Sequence, residues 1–290
     1  MEVVRWLAVV LAAGSASASA CGRWGFTEPV DAPAGTSDTP ASLDGTAKAA
    51  DALSAIDAAP SIDSPPGLGD YQVAQGTASY AALAGQPVPG FAAGADDENY
   101  TLPLPFTFTY YGVAYTSVTV SVNGYLTFGP PATGADTYSN DCPLDATAPD
   151  AVIAVFWDDL VATTNAPTGA MTYATSGTSP DRQLAVEWQD MDAYAAAGSG
   201  GNAFTQGIRV TQQVVLHETG VIEMRYGPRT PPTMTNKDCG ADRHRGCSAT
   251  VGLEAPASTA FKNVQCGTAA GPGPGYVPID EGRAITFTPI

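Results

Sequence analysis

From Tyr71 onward, the chain consists of short runs of alternating apolar and polar residues, separated by Gly, Pro, Asn and Asp. Alternation with a period of two is typical of β-strands, and the separating residues favour turns. Candidate strands lie near 105–110, 115–122, 125–128, 151–157, 169–174, 183–189, 206–216, 221–226, 248–254 and 284–289. The pattern predicts an all-β domain over residues 71–290, folded as a two-sheet antiparallel β-sandwich of jelly-roll-like type.

One hairpin can be predicted in register. The stretch YTSVTVSVNGYLTFG (115–129) contains the turn signal Asn123-Gly124. A two-residue turn would place Leu126 and Phe128 on the face opposite the preceding valines, because side chains alternate between faces. A three-residue loop, 122–124, with Gly124 in the left-handed conformation, puts the valines and these two residues on one face. We therefore predict the three-residue loop.

The N-terminus predicts export. Residues 1–20 fit a signal peptide, because their apolar stretch is shorter than the roughly 20 residues of a membrane-spanning helix. The run ASAC (18–21) resembles a bacterial lipobox, in which Cys21 would be lipidated and become the mature N-terminus. An ordinary signal-peptidase site before Cys21 is the alternative. Residues 21–70 then form a disordered acidic Ala/Pro/Ser linker, and the protein is an exported lipoprotein of the outer membrane or cell surface.

The cysteine count supports a lipid anchor. The chain has five cysteines, an odd number for an exported protein. Without Cys21, the remaining four are an even set suited to an oxidising compartment: Cys142, Cys239, Cys247 and Cys266. Zinc is the alternative, but no C-x-x-C pair occurs. We predict two disulfides. Pairing Cys239 with Cys247 is the most local arrangement, although the sequence leaves all three connectivities open.

Composition limits the partners. The formal net charge is −17, from 29 acids and 12 bases. Such a field repels phosphate backbones, so we expect no nucleic-acid partner, and membrane contact only through the lipid anchor. The expected partner is an extracellular protein or glycan of unknown identity.

Five segments together resemble a known kind of domain. LPLPFTFTYYGVAYTSVTVSVNGYLTFG, AVIAVFWDDL, RQLAVEWQDMD, VVLHETGVIEMRYG and SATVGLE follow one another over most of residues 100–254. The set resembles a β-sandwich domain of secreted and surface-anchored bacterial lipoproteins, and it is similar to the extracellular NIDO domain of nidogen-like proteins. The resemblance implies adhesion or accessory roles and supplies no catalytic residues.

Carboxylates offer the strongest case for chemistry. Asp158 and Asp159 end the apolar run AVFW, and Glu187, Asp190 and Asp192 lie in VEWQDMD. One reading is a carboxylate-dependent secreted glycoside hydrolase, which needs an acid and a base across a cleft. The alternation in LAVEWQDM instead turns Glu187 away from the face of Trp188. We predict no enzyme and no obligatory cofactor, with Asp158 and Asp159 as candidate calcium ligands. GADDENY (94–100) is another acidic loop.

Two further features are candidates for ligand binding. TYYGVAY (109–115) places Tyr110, Tyr111 and Tyr115 around Gly112, where they could form an aromatic platform. CGADRHRGC (239–247) concentrates positive charge, so Arg243 and Arg245 are candidate contacts for anionic glycans or carboxylates. No serine nucleophile motif accompanies the two histidines, His217 and His244.

Overall fold

The computed structural model describes residues 69–142, 144, 149–164, 168–194, 207–232, 239–268, 271–273 and 275–290. Within them the strands are β1 (Tyr71–Thr77), β2 (Gln86–Pro87), β3 (Asn99–Tyr110), β4 (Val113–Ser121), β5 (Tyr125–Thr127), β6 (Val152–Trp157), β7 (Leu160–Val161), β8 (Ala170–Ser176), β9 (Gln183–Ala193), β10 (Arg209–His217), β11 (Ile222–Thr230), β12 (Thr250–Glu254), β13 (Phe261–Gln265), β14 (Gly267–Thr268), β15 (Gly271–Pro272) and β16 (Arg283–Pro289). Short 3₁₀ helices span Gly134–Thr137, Gly240–Arg245 and Pro256–Ser258.

The strands form two antiparallel sheets. Sheet A has the order β1-β16-β11-β10-β9-β8-β2, with β7 also pairing with β9, and sheet B has the order β13-β12-β6-β5-β4-β3. β14 and β15 form a separate small hairpin. Two runs of consecutive strands, β3–β6 and β8–β11, pair as meanders. Short turns join β3 to β4, β4 to β5 and β10 to β11, whereas the longer segments 128–151 and 194–208 join β5 to β6 and β9 to β10. The two sheets pack as a sandwich, so the predicted fold class is confirmed.

The core lies between the sheets, and sheet B is buried on both faces near β6. Every residue of β6 is buried, which explains its unbroken apolar run. Ile153 and Val155 belong to the main cluster between the sheets. Trp157 packs in a second cluster with Tyr125, their ring centroids 4.8 Å apart. Trp157 therefore has a core role.

The predicted hairpin register is confirmed. Val120 pairs with Leu126 across β4 and β5, which leaves the loop 122–124 between the strands. Gly124 has φ +79°, and a Cβ there would lie 2.2 Å from the carbonyl oxygen of Phe156. Both its backbone conformation and its close contact therefore require glycine.

The segment between β1 and β2, residues 78–85, crosses the outer face of sheet A and is named the strap here. In chain order its contacts are Ala78 with Gly282, Tyr80 with Gly227, Ala81 with Gln213, Leu83 with Glu187, and Gly85 with Tyr173. These partners lie beside or on β16, β11, β10, β9 and β8, a distance of about 19 Å at the usual strand spacing. Seven peptide steps reach about 24 Å at most, so the strap is nearly extended.

The N-terminal predictions fall outside the described residues. They comprise the signal peptide 1–20, Cys21 and the linker 21–70, of which only residues 69 and 70 are described. In the part of the chain that the structure covers, no helix is both long and apolar enough to cross a membrane.

Candidate functional site

Asp158 and Asp159 lie where the chain passes from sheet B to sheet A, between β6 and β7. Asn123, in the β4–β5 loop, fixes this crossing. Its side-chain oxygen accepts the N–H of Leu160 at 2.7 Å, and its backbone oxygen accepts the N–H of Asp158 at 3.3 Å. The sequence therefore placed these two acids correctly at the end of a strand.

Asp158 belongs to a buried ion pair. It is 4% exposed, and its partner Arg243 is 5% exposed. Arg243 Nη2 lies 3.1 Å from Oδ1 and Nε lies 3.4 Å from Oδ2, while the Ser248 hydroxyl donates to Oδ2 at 2.6 Å. Arg243 Nη1 donates to the carbonyl oxygen of Tyr194 at 3.0 Å. Buried charges persist when paired and hydrogen-bonded in this way, so the pair is structural.

Asp159 points into a different group of acids. Ligand atoms of Asp96, Asp97 and Asp159 all lie within 4.8 Å of one another. The loop that carries the first two is tied to the β7 segment by hydrogen bonds between Gly94 N–H and Ala162 O, and between Ala162 N–H and Ala95 O. Asn123 Nδ2 donates to Asp97 Oδ1 at 3.0 Å, so the hairpin loop also contacts this acidic cluster.

Burial and mutual repulsion make the acidic cluster costly to ionise. Burial, followed by repulsion from Asp97 and Glu98, raises the pKa of Asp96 to about 6. Burial, followed by repulsion from Asp158, raises the pKa of Asp159 to about 7, although Arg243 opposes the shift. Asp96 Oδ1 is buried and has no hydrogen-bond partner among the described residues. A bound cation would relieve this repulsion.

The donor set fits a hard divalent cation. Carboxylate oxygens on loops are the ligands that Ca²⁺ prefers, and three carboxylates leave the remaining positions to water or backbone oxygens. The predicted calcium pair is therefore corrected at Asp158 and kept at Asp159. Asp158 is committed to Arg243, whereas Asp159 is joined by Asp96 and Asp97 from GADDENY. Calcium binding itself stays a prediction.

The cysteines gather near the same corner of the sandwich. Cys142 and Cys266 form a disulfide, with Cα atoms 5.0 Å apart. Cys239 and Cys247 flank the 3₁₀ helix that carries Arg243, and the Cys247 thiol donates to the Cys239 carbonyl oxygen at 3.6 Å. Burial raises the pKa of Cys247, and the sulfur atoms of this pair are not bonded to each other in the structure. The second disulfide stays a prediction.

The other candidate acids are each engaged in local bonding. Glu187 is fully buried on the face opposite Trp188, as expected, and accepts hydrogen bonds from Tyr80, from the N–H of Leu83 and from Gln213. Asp192 is fully buried and forms an ion pair with Arg209.

Asp190 adopts φ +51° beside the irregularity between β9 and β10, where its N–H donates to the Thr211 hydroxyl at 3.1 Å. The surface depressions beside the strap and beside Tyr71 are lined by none of the five candidate acids. These acids are Asp158, Asp159, Glu187, Asp190 and Asp192.

The tyrosines do not form an exposed platform. Tyr110 is fully buried, and its hydroxyl donates to Val152 O at 2.7 Å and lies 3.0 Å from Glu254 O. Tyr111 is 1% exposed, and Tyr115 stacks on Phe128 with ring centroids 4.7 Å apart. Tyr110 ends β3, and Tyr111 lies in the following turn with φ +46°, where both rings pack against Tyr71. The expected aromatic platform is therefore corrected to a packing role.

The basic loop is also less available than its sequence suggested. Arg243 is buried against Asp158, which corrects its expected exposure. Arg245 pairs with Asp280 through two hydrogen bonds of 2.7 and 2.8 Å. Acids that are distant in sequence but close in space therefore neutralise the positive charge of this loop, and no local pattern indicated either partner.

The surface formed by the described residues includes two depressions with defined linings. One of about 220 Å³ is lined by Asp70, Tyr71, Tyr111, Glu218 and neighbouring glycines. The other, of about 520 Å³, lies on the outer face of sheet A between the strap and the Glu223–Arg225 ion pair. Its floor is formed by small residues of β1 and β16, namely Ala74, Gly76, Ala284 and Thr286.

Comparisons with known proteins place the domain in a family. No curated protein and no solved structure matches the chain. The family model described as NIDO related matches residues 70–289, which include both sheets, the strap, the acidic cluster and the cysteine corner. The chain therefore belongs to the NIDO-related family.

Proposed function

We propose that this protein is exported, anchored by lipid at Cys21 to the outer membrane or cell surface, and acts there as a binding or adhesion module. Membership of the NIDO-related family suggests an extracellular binding or structural role. The disulfide between Cys142 and Cys266 suits an oxidising compartment. The expected partner is an extracellular protein or glycan.

One observation carries the choice of binding over catalysis: the acids that a hydrolase would need are used to hold the fold together. Asp158 neutralises Arg243, Asp192 pairs with Arg209, and Glu187 fastens the strap. A catalytic pair must instead face substrate across an open cleft at a fixed separation. These acids therefore support a rigid display domain.

A carboxylate-dependent hydrolase is the second candidate, and one observation favours it. Asp159 has a pKa raised to about 7 by burial, which suits a general acid at neutral pH. The change Asp159→Asn tests this alternative. Loss of hydrolysis of a glycan substrate by a folded variant would support the enzyme over the binding module.

The anchor is tested with the full chain and its Cys21→Ser variant in cells fed an alkyne-tagged fatty acid. We expect the variant to lose the label and to leave the membrane fraction. Cys239→Ser is the matched control and should keep both. Unchanged membrane association of the Cys21→Ser variant contradicts the lipid anchor.

The binding function is tested with the same strains on surfaces coated with extracellular glycans or matrix proteins. Cells carrying the anchored protein should adhere better than cells carrying the Cys21→Ser variant, since only the former retain the module. Equal adhesion by both strains and by a deletion strain, with the protein folded and exposed, contradicts an adhesive role.

A further inference from the structure

The four edges of the two sheets are not equally protected against pairing with another strand. In sheet A, β2 is two residues long and contains Pro87. In sheet B, β3 carries Pro103 and Pro105 with a break in register. β13 carries Lys262, and its pairing with β12 shifts register between Val251 and Gly252. Shortness, proline, lysine and bulges are the usual devices that block edge-to-edge association.

β1 has none of these devices. Its sequence YQVAQGT contains no charged residue and no proline, and all seven residues pair with β16 without a break. The last four, Ala74–Thr77, are exposed. Among the described residues no strand pairs with its other side, and a regular, neutral edge of this length is a template for a further β-strand.

Hydrogen bonds at the two ends show which backbone groups of β1 face the open edge. Ala78 N–H donates to Gly282 O, and Ile290 N–H donates to Asp70 O. Even-numbered residues therefore point their backbone groups toward β16, because these groups alternate sides along a strand. The odd-numbered residues Val73, Gln75 and Thr77 each point one N–H and one C=O outward. Tyr71 points its C=O outward, but its N–H already donates to Asp70 Oδ1 at 2.7 Å.

We propose that β1 is a homotypic interface, where β1 of a second copy of this chain pairs antiparallel to it about a two-fold axis at Ala74. This register places Tyr71 opposite Thr77 of the second copy, and Val73 opposite Gln75. Val73 and Gln75 then exchange both backbone hydrogen bonds, Thr77 N–H donates to Tyr71 O of the second copy, and sheet A continues through the dimer. Tyr71 N–H keeps its bond to Asp70 Oδ1. The proposal rests on the geometry of β1 and not on the lipid anchor.

A second copy fits this edge better than an unrelated strand for two reasons. A residue at a two-fold axis meets the same residue of the other copy, so a charged side chain there would face a like charge. β1 avoids this repulsion, because it contains no charged residue in a chain of net charge −17. The outer face is also self-complementary. Gln72 of one copy lies opposite Gly76 of the other, where no atom lies within 4 Å of an added Cβ and the depression of about 520 Å³ is open.

Cysteine cross-linking tests the register. Ala74 forms a non-hydrogen-bonded pair with its own copy, with Cα atoms about 4.5 Å apart, so an Ala74→Cys disulfide can form. We expect the full-length Ala74→Cys chain to give a covalent dimer linked through position 74. The matched control Gly76→Cys should not link to itself, because its copies lie about 14 Å apart, but it should link to Gln72→Cys in a mixture.

Association in solution tests the interface without cross-linking. Light scattering of the full-length chain should show its mass doubling as concentration rises. Ala74→Lys should remain monomeric with an unchanged melting temperature, because it places two ammonium groups at the two-fold axis and keeps the pairing with β16. Any of three results overturns the proposal. The chain could remain a monomer at every concentration, Gly76→Cys could give as much covalent dimer as Ala74→Cys, or a different polypeptide could occupy the edge.

Discussion

Asp158 and Asp159 are adjacent in sequence, yet the structure predicts that neutralising them has opposite effects. Asp158→Asn leaves Arg243, 5% exposed, without its counter-charge. Removing one partner of a buried ion pair costs about 3–5 kcal/mol, which lowers the melting temperature of a domain of this size by about 6–20 °C. The assay is thermal and urea unfolding of the full chain at constant redox state.

Asp159→Asn should instead stabilise the protein near neutral pH. The folded pKa of Asp159, about 7, lies above the unfolded value of about 3.9. Between these values the folded state binds more protons, so this contribution makes stability fall as pH rises from about 4 to about 7. The free energy of unfolding of Asp159→Asn should lack this part of the decline. Its excess over the wild-type value should therefore grow with pH in the absence of divalent cations.

The double variant Asp158→Asn/Arg243→Met separates the charge effect from packing. Both charges are then absent, so the double variant should have a higher free energy of unfolding than Asp158→Asn alone. We expect a difference of about 0.5–3 kcal/mol, the usual range for the interaction between contacting residues. The reasoning is refuted if Asp158→Asn and Asp159→Asn shift stability equally, or if the double variant is no more stable than the single one.

Three further outcomes are expected. Removal of calcium by a chelator should lower the melting temperature of wild type but not of Asp159→Asn. Calcium at 100 times its dissociation constant would stabilise the folded protein by about 2.7 kcal/mol. No chelator effect contradicts calcium binding. Glu187→Gln should lower the free energy of unfolding by about 1–3 kcal/mol, because one acceptor oxygen becomes an N–H donor that faces other donors. The variant should also expose the strap 78–85 to proteases. Equal protease resistance of variant and wild type contradicts the role of Glu187 as the strap's anchor. Intact mass without reductant should show four protected thiols in the mature domain, and alkylation of Cys239 and Cys247 alone would leave a single disulfide.

Local sequence patterns were sufficient for most of the longer strands and for one hairpin, but not for β2, β7, β13, β14 and β15. The alternation around Asn123-Gly124 determined its register, because a shift of one residue would have turned Leu126 and Phe128 out of the core. The family resemblance also followed from ordered local segments. β1 and the strap were missed, since YQVAQGT and the small residues after it have no strong apolar alternation.

The identity of the site depended on contacts between distant residues. Asp158 ends its strand as the sequence indicated, but its partner Arg243 lies 85 positions away, and that contact exists only because the 3₁₀ helix packs on the crossing between the sheets. Asp159 meets Asp96 and Asp97 because the β4–β5 loop and the 94–98 loop converge there.

What the sequence by itself determined was therefore the all-β class, most of the longer strands with their facing, and the positions of charge, because each depends on neighbours along the chain. The tertiary structure alone decided which charges meet. Burial then made Arg243 a structural cation and Asp159 a carboxylate that resists ionisation, because the free energy of a charge depends on its neighbours in space and on its access to water.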